Sequence, residues 1–171
     1  MYGIIIFVYM KYLTTIFLLL FGACSLNKED QNTIEIYRFE NQLFKTNDSN
    51  IFADRSKWED KVGSFASSYY NFLFNTNNDT IVNSQILSFI NNNDMREVYD
   101  TINIRFSSIA NLKDNIGNSL HNFKTLFPEY PIPNIITMFS GFNYGVIVED
   151  SLVAIGLDFY LGKNSIFYQR L

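Results

Sequence analysis

Apolar and polar residues alternate through Ile34-Glu35-Ile36-Tyr37-Arg38-Phe39, the period of a half-buried strand. Phe39, Leu43 and Phe44 then recur at helical spacing, so the segment turns into a short helix before the polar turn Thr46 to Asn50. From Ser56 to Phe74 the pattern predicts a longer helix. Ser56 is its N-cap with Glu59 in the capping-box position, and Trp58, Val62, Phe65, Tyr69 and Phe72 make one apolar face. Thr80 to Ile90 reads as the next helix, with Ile81, Ile86, Leu87 and Ile90 inward, ended by Asn91 to Asn93. Asp94, with Glu97, caps another, whose stripe is Met95, Val98, Tyr99, Ile102 and Phe106. Ile109 to Phe127 continues helical, with Ile109, Leu112, Ile116, Leu120, Phe123 and Leu126/Phe127 on one side. Pro128, Pro131 and Pro133 stop it and launch an extended segment.

The period then changes. Between Pro133 and Gly162 lie the apolar runs Ile135 to Phe139, Tyr144 to Val148 and Leu152 to Leu157, separated by Gly, Asn, Asp and Ser. Such runs between turn residues read as strands joined by tight turns. Helices followed by a small antiparallel sheet make an α+β fold, mostly helical in its N-terminal part. Asp158 and Tyr160 follow the last run, alternating with Leu157, Phe159 and Leu161, and Gly162 closes the stretch. If the strand continues, Asp158 and Tyr160 share one face. They then either bind a ligand or a partner's backbone, or serve as a turn cap and a sheet-edge tyrosine. The residues alone favour the second.

The first 23 residues read as a targeting segment rather than part of the fold. Met10-Lys11 is a short cationic region and Leu13 to Phe21 an apolar one, so Met10 is a better translation start than Met1. The apolar region runs into Leu20-Phe21-Gly22-Ala23-Cys24, which resembles a bacterial lipobox. Cleavage before Cys24 needs small side chains just ahead of it, and Gly22 and Ala23 supply them. Cys24, the one cysteine of the chain, is then the lipid attachment site, and residues 24–33 are a polar tether. Residues 34–171 form a single domain.

The 171-residue chain is 47% hydrophobic and 17% aromatic, ample for a core. Its net charge of −4, without a basic patch, argues against nucleic acid as a partner. A lone cysteine excludes an internal disulfide and a cysteine zinc cage, and a lone histidine, His121, excludes HExxH. His121 reads as a surface or helix-packed residue. Glu149-Asp150 read as solvated turn residues rather than a catalytic carboxylate pair. No P-loop, Rossmann glycine pattern or GxSxG occurs, so no cofactor and no catalytic residue is expected.

Four features resemble the gliding-motility lipoprotein family GldB of Bacteroidetes. They are the lipobox at Cys24, the segment IEIYRFENQLF (Ile34 to Phe44), the block FPEYPIPNIITMFSGFNYG (Phe127 to Gly145), and the block SLVAIGLDFYLGKNSIFY (Ser151 to Tyr168). The resemblance implies a lipid-anchored envelope protein facing the periplasm or the cell surface. Its partners would be membrane lipid through Cys24 and proteins of the gliding and type IX secretion machinery, and it would act by interaction rather than catalysis. It also implies a metallopeptidase-like architecture whose metal-site helix is missing, the chain being the N-terminal part of a longer protein. In such folds Leu152 to Leu157 would be an edge strand able to pair with an extended peptide. The resemblance implies as one alternative a truncated zinc-metallopeptidase-like enzyme; the acidic tract after Cys24 and the aromatic richness suggest another, a surface-exported binding lipoprotein.

Overall fold

The computed structural model describes residues 34–149 and 151–169, all within the unit Asn32–Leu171. The targeting segment, Cys24 and the tether up to Thr33 lie outside the described residues, as do Asp150, Arg170 and Leu171.

Strand β1 (Ile36–Arg38) passes directly into helix α1 (Phe39–Lys45), as the change of period after Phe39 predicts. Phe39 is fully buried. Its ring meets those of Trp58, Phe65 and Tyr69 edge-on at 5.8, 6.4 and 4.9 Å. The helix expected over Ser56 to Phe74 is two helices, α2 (Ile51–Val62) and α3 (Phe65–Phe74). Gly63, at φ +60°, breaks them, and Ser56 lies inside α2 rather than capping it. The turn exists because glycine occupies positive φ at no steric cost.

Helices α4 (Asp79–Asn91) and α5 (Asn93–Arg105) start at asparagine caps. Asn78 accepts from the N–H groups of Thr80 and Ile81, and Asn92 from those of Asp94 and Met95. Asp94, expected as the α5 cap, is instead in its first turn, where it complements the helix dipole. Val82, Ile86 and Ile90 face the core from α4, while Ile81, expected inward, is exposed. From α5, Val98, Tyr99 and Ile102 are buried, and Tyr99 stacks on Phe44 at 4.1 Å. Helix α6 (Ala110–Leu126) departs furthest from its pattern. Leu112, Ile116 and Leu120 are only half-buried, and Phe123 and Leu126 are exposed.

The sheet has the order β1-β2-β4-β3, with β2 (Asn134–Met138), β3 (Val146–Glu149) and β4 (Leu152–Gly156). It is mixed, not antiparallel. β1 pairs with β2 and β2 with β4 in parallel, and only the β3–β4 hairpin is antiparallel. The cause is connectivity: five helices and their turns separate α1 from β2, and a long helical crossover brings the next strand back parallel. Registers Tyr37↔Ile136, Ile136↔Ala154 and Ile147↔Ala154 put these residues on the face that packs against the helices. β4 is an interior strand, so the expected edge at Leu152 to Leu157 is corrected; the edge beside it is β3.

Candidate functional site

Because β4 sits between β2 and β3, the chain leaving β2 must pass over the C-terminal end of β4 to reach β3. The segment Phe139 to Gly145 makes that passage. Gly156, the last residue of β4, donates its N–H to the Gly145 carbonyl at 2.8 Å. A Cβ at Gly156 would lie 2.2 Å from the Tyr144 carbonyl oxygen, so only glycine lets the two backbones cross. Within the crossing loop, Gly141 and Phe142 hold φ of +64° and +60°.

Asp158 fastens this loop. It is completely buried, and its Oδ1 accepts from the Ser140 N–H at 3.1 Å. Its Oδ2 accepts from the Ser140 hydroxyl at 2.7 Å and the Phe142 N–H at 2.6 Å. The Ser140 hydroxyl oxygen in turn accepts from the N–H groups of Asn143 and Tyr144, both at 3.2 Å. From below, the Tyr69 hydroxyl donates to the Phe139 carbonyl at 2.7 Å. Burial pushes the Asp158 carboxyl above its usual value, and the N–H groups of Ser140 and Phe142 and the Ser140 hydroxyl offset part of that rise. Burial also pushes the Tyr69 phenol well up, and the Asp158 charge adds to it. With its oxygens committed to the loop and shut off from solvent, this carboxylate holds structure and is not placed to move a proton for a substrate.

Asp158 and Tyr160 do not share a strand face. β4 ends at Gly156, and Leu157–Tyr160 is a 3-10 turn that sends Asp158 inward and Tyr160 outward. Gly162, at φ +103°, turns the chain again toward Ser165, whose N–H donates to its carbonyl at 2.9 Å. Tyr168 ties the turn: its hydroxyl donates to the Asp158 carbonyl at 2.9 Å and accepts from the Leu161 N–H at 2.9 Å. Phe159 and Tyr160 lie against Gly145, within 3.6 and 3.7 Å of where its Cβ would be. With Tyr144, whose ring meets Phe72 at 4.9 Å, they form an exposed aromatic lip over the loop crossing. Val146 and Val148, also exposed, carry the apolar surface along β3.

A second buried carboxylate, Glu40, stands out only once the fold is known. Its Oε1 meets Arg38 Nε at 2.6 Å, and its Oε2 accepts from the Thr137 hydroxyl at 2.8 Å. Arg38 also donates to the Phe106 carbonyl at 2.7 Å. Burial raises the Glu40 carboxyl, while the Arg38 charge and the Thr137 hydroxyl pull it down in part. The group ties β1, α1 and β2 to the end of α5. Its only sequence signal is the pair Arg38 and Glu40 two residues apart inside an apolar segment. Glu149, expected to be solvated, is half-buried and accepts from the Ser68 hydroxyl at 3.0 Å. His121 is exposed on α6. Among the described residues no group of three or more His, Cys, Asp or Glu could hold a metal ion.

The described residues thus define an α+β protein with a small mixed sheet, a loop crossing locked by a buried carboxylate, and an aromatic surface above it. No curated protein and no solved structure matches the chain. Residues 25–171 match the family described as gliding motility protein GldB, and the chain belongs to that family. It is, on that ground, a gliding motility lipoprotein.

Proposed function

We propose that the protein serves gliding by holding another protein of the gliding and type IX secretion machinery, without catalysis. It does so from the periplasmic face of a membrane to which acylated Cys24 anchors it. The observation that carries this reading is the family match across residues 25–171. Two features of the fold support an interaction role. The lip of Tyr144, Phe159 and Tyr160 has the aromatic composition of binding hot spots. Beside it, among the described residues, β3 is paired on one side only, leaving backbone groups on its outer side for an extended segment.

Deleting the gene in a gliding species and scoring colony spreading tests the reading. Complementation then compares the native chain with Phe159→Ala/Tyr160→Ala, at protein levels matched by immunoblot. Deletion should stop spreading, and the double variant should accumulate normally yet fail to restore it. Spreading by the deletion strain would refute the role in gliding. Full rescue by the double variant would remove the lip from it.

A further inference from the structure

Near the entry end of the sheet the protein keeps an ordered apolar cluster out in water. Phe123 and Phe127 at the end of α6 and Tyr130 in the loop beyond have ring centroids 5.2 to 6.4 Å apart. Lys124 holds the loop against the helix, donating to the carbonyls of Pro128 at 2.7 Å and Tyr130 at 2.9 Å. Leu126, Tyr130 and Ile132 nevertheless stay 72, 55 and 47% exposed. Apolar surface that is fixed in place yet uncovered marks a contact site.

Topology says which way the cluster faces. Ile36 pairs with Ile135, so β1 and β2 begin side by side. Ile34 and Ile132 each lie just upstream of those starts, one leading from the tether and the other from the cluster. Helix α6 starts after Phe106, whose carbonyl receives Arg38 at the far end of β1. Tyr130 and Ile132 precede Asn134, the first residue of β2, by four and two positions, which holds the cluster within ~14 Å of the entry end. The ten residues from Cys24 to Ile34 span at most ~35 Å. An acylated Cys24 therefore keeps this end of the fold next to the bilayer.

We infer that Leu126, Phe127, Tyr130 and Ile132 form a second membrane contact, seated in the interface of the bilayer that holds the acyl chains of Cys24. The inference rests on the lipid-anchor reading of Cys24. Tyrosine and phenylalanine beside aliphatic side chains suit the depth of the headgroup and upper acyl region. Lys61 and Lys113 line the groove at this end against Glu35, a net positive charge that does not oppose contact with a bilayer. The contact sets orientation: the aromatic lip, at the opposite end of β4, is turned away from the membrane toward partners.

The test uses the lipidated chain in nanodiscs with and without brominated phosphatidylcholine. Native Trp58, the one tryptophan and 2% exposed, supplies the baseline emission. Tyr130→Trp and, separately, Ile132→Trp report the cluster, and Tyr144→Trp reports the lip. At positions 130 and 132 the added emission should be blue-shifted and fall about twofold with brominated lipid, while that at 144 is unchanged. Two variants at the cluster guard against a local folding defect in either. Mass spectrometry of Cys24 separates the failures. An acylated Cys24 with no quenching at 130 and 132, or equal quenching at 144, overturns the membrane contact and leaves the anchor standing. A blue shift without quenching overturns it too, assigning the cluster to a second copy of the chain. An unacylated Cys24 brings down the anchor and the contact together.

Discussion

Replacing Asp158 with alanine removes the acceptor for three donors: the N–H groups of Ser140 and Phe142 and the Ser140 hydroxyl. The hydroxyl can rotate, but the two backbone N–H groups are fixed by the positive-φ turn at Gly141 and Phe142. A buried N–H left without a partner costs ~1–3 kcal/mol, so the pair costs ~2–6 kcal/mol. The substitution also relieves the desolvation that raises the Asp158 carboxyl, which brings the net toward ~2–4 kcal/mol. Against a total stability of ~5–15 kcal/mol this is a large fraction. Urea unfolding followed by emission of the buried Trp58 reads it directly. With a slope of about 2 kcal/mol per molar, the midpoint should fall by ~1–2 M at neutral pH. Ser140→Ala closes a double-mutant cycle, and the two changes should couple by at least ~1 kcal/mol because both remove the charge-assisted bond from the Ser140 hydroxyl to the Asp158 carboxylate. A midpoint shift below ~0.3 M, or strict additivity with Ser140→Ala, would refute the view that Asp158 locks the crossing loop.

The crossing itself makes a second prediction. Gly156→Ala places a Cβ 2.2 Å from the Tyr144 carbonyl oxygen, so the loop must lift and weaken the Gly156–Gly145 hydrogen bond. The expected loss is ~1–3 kcal/mol in the same urea assay, and an unchanged midpoint would refute the close approach. A third concerns pH. Burial raises the folded-state pKa of Glu40, so the folded protein binds that proton more readily than the unfolded chain. The resulting stabilisation is complete below the ordinary carboxylate value of ~4.3 and is lost as pH rises through the raised folded value. Compared with Glu40→Gln, the native protein should therefore gain stability as pH falls from 7 toward ~4.5, and parallel midpoint–pH curves for the two would count against it.

What could be read in advance follows from what each signal encodes. Apolar periodicity reports which side of an element is buried, so it located the helices through Val98, Ile102, Ile86 and Phe65 and the strands through Ile136 and Ala154. It does not report partners. The runs Ile135 to Phe139 and Leu152 to Leu157 look alike whether paired parallel or antiparallel, and strand order depends on a crossover that no local pattern contains. Capping residues misled for a related reason. Asn78 and Asn92 cap as well as Ser or Asp, yet in so asparagine-rich a chain they pass for breakers, and the nearby Asp94 offered a plausible box. At α6 the pattern was amphipathic, but what covers such a face lies outside the helix's own sequence. Leu126 and Phe127 thus carried a core signature to a solvent-exposed place.

The block that most distinguishes this chain, Phe127 to Gly145 with Ser151 to Tyr168, owes its character to topology. Inserting β4 between β2 and β3 forces one backbone over the end of another, and each unusual residue there answers one requirement of that crossing. Gly156 removes the obstructing Cβ, Gly141 gives positive φ, Ser140 gathers loose N–H groups, and Asp158 supplies a buried acceptor for the donors the turn leaves unpaired. A buried Asp at the end of a strand resembles a catalytic residue in sequence because both need an apolar neighbourhood. The hydrogen bonds decide between them, and here every one goes to the protein's own loop. Under the proposed function, interaction is assigned to the residues that the same 3-10 turn sends outward. Phe159 and Tyr160 differ from Asp158 by one and two positions, yet they alone of the three meet solvent. Substitutions at Asp158 should accordingly lower protein abundance and gliding together, whereas substitutions at Phe159 and Tyr160 should separate the two.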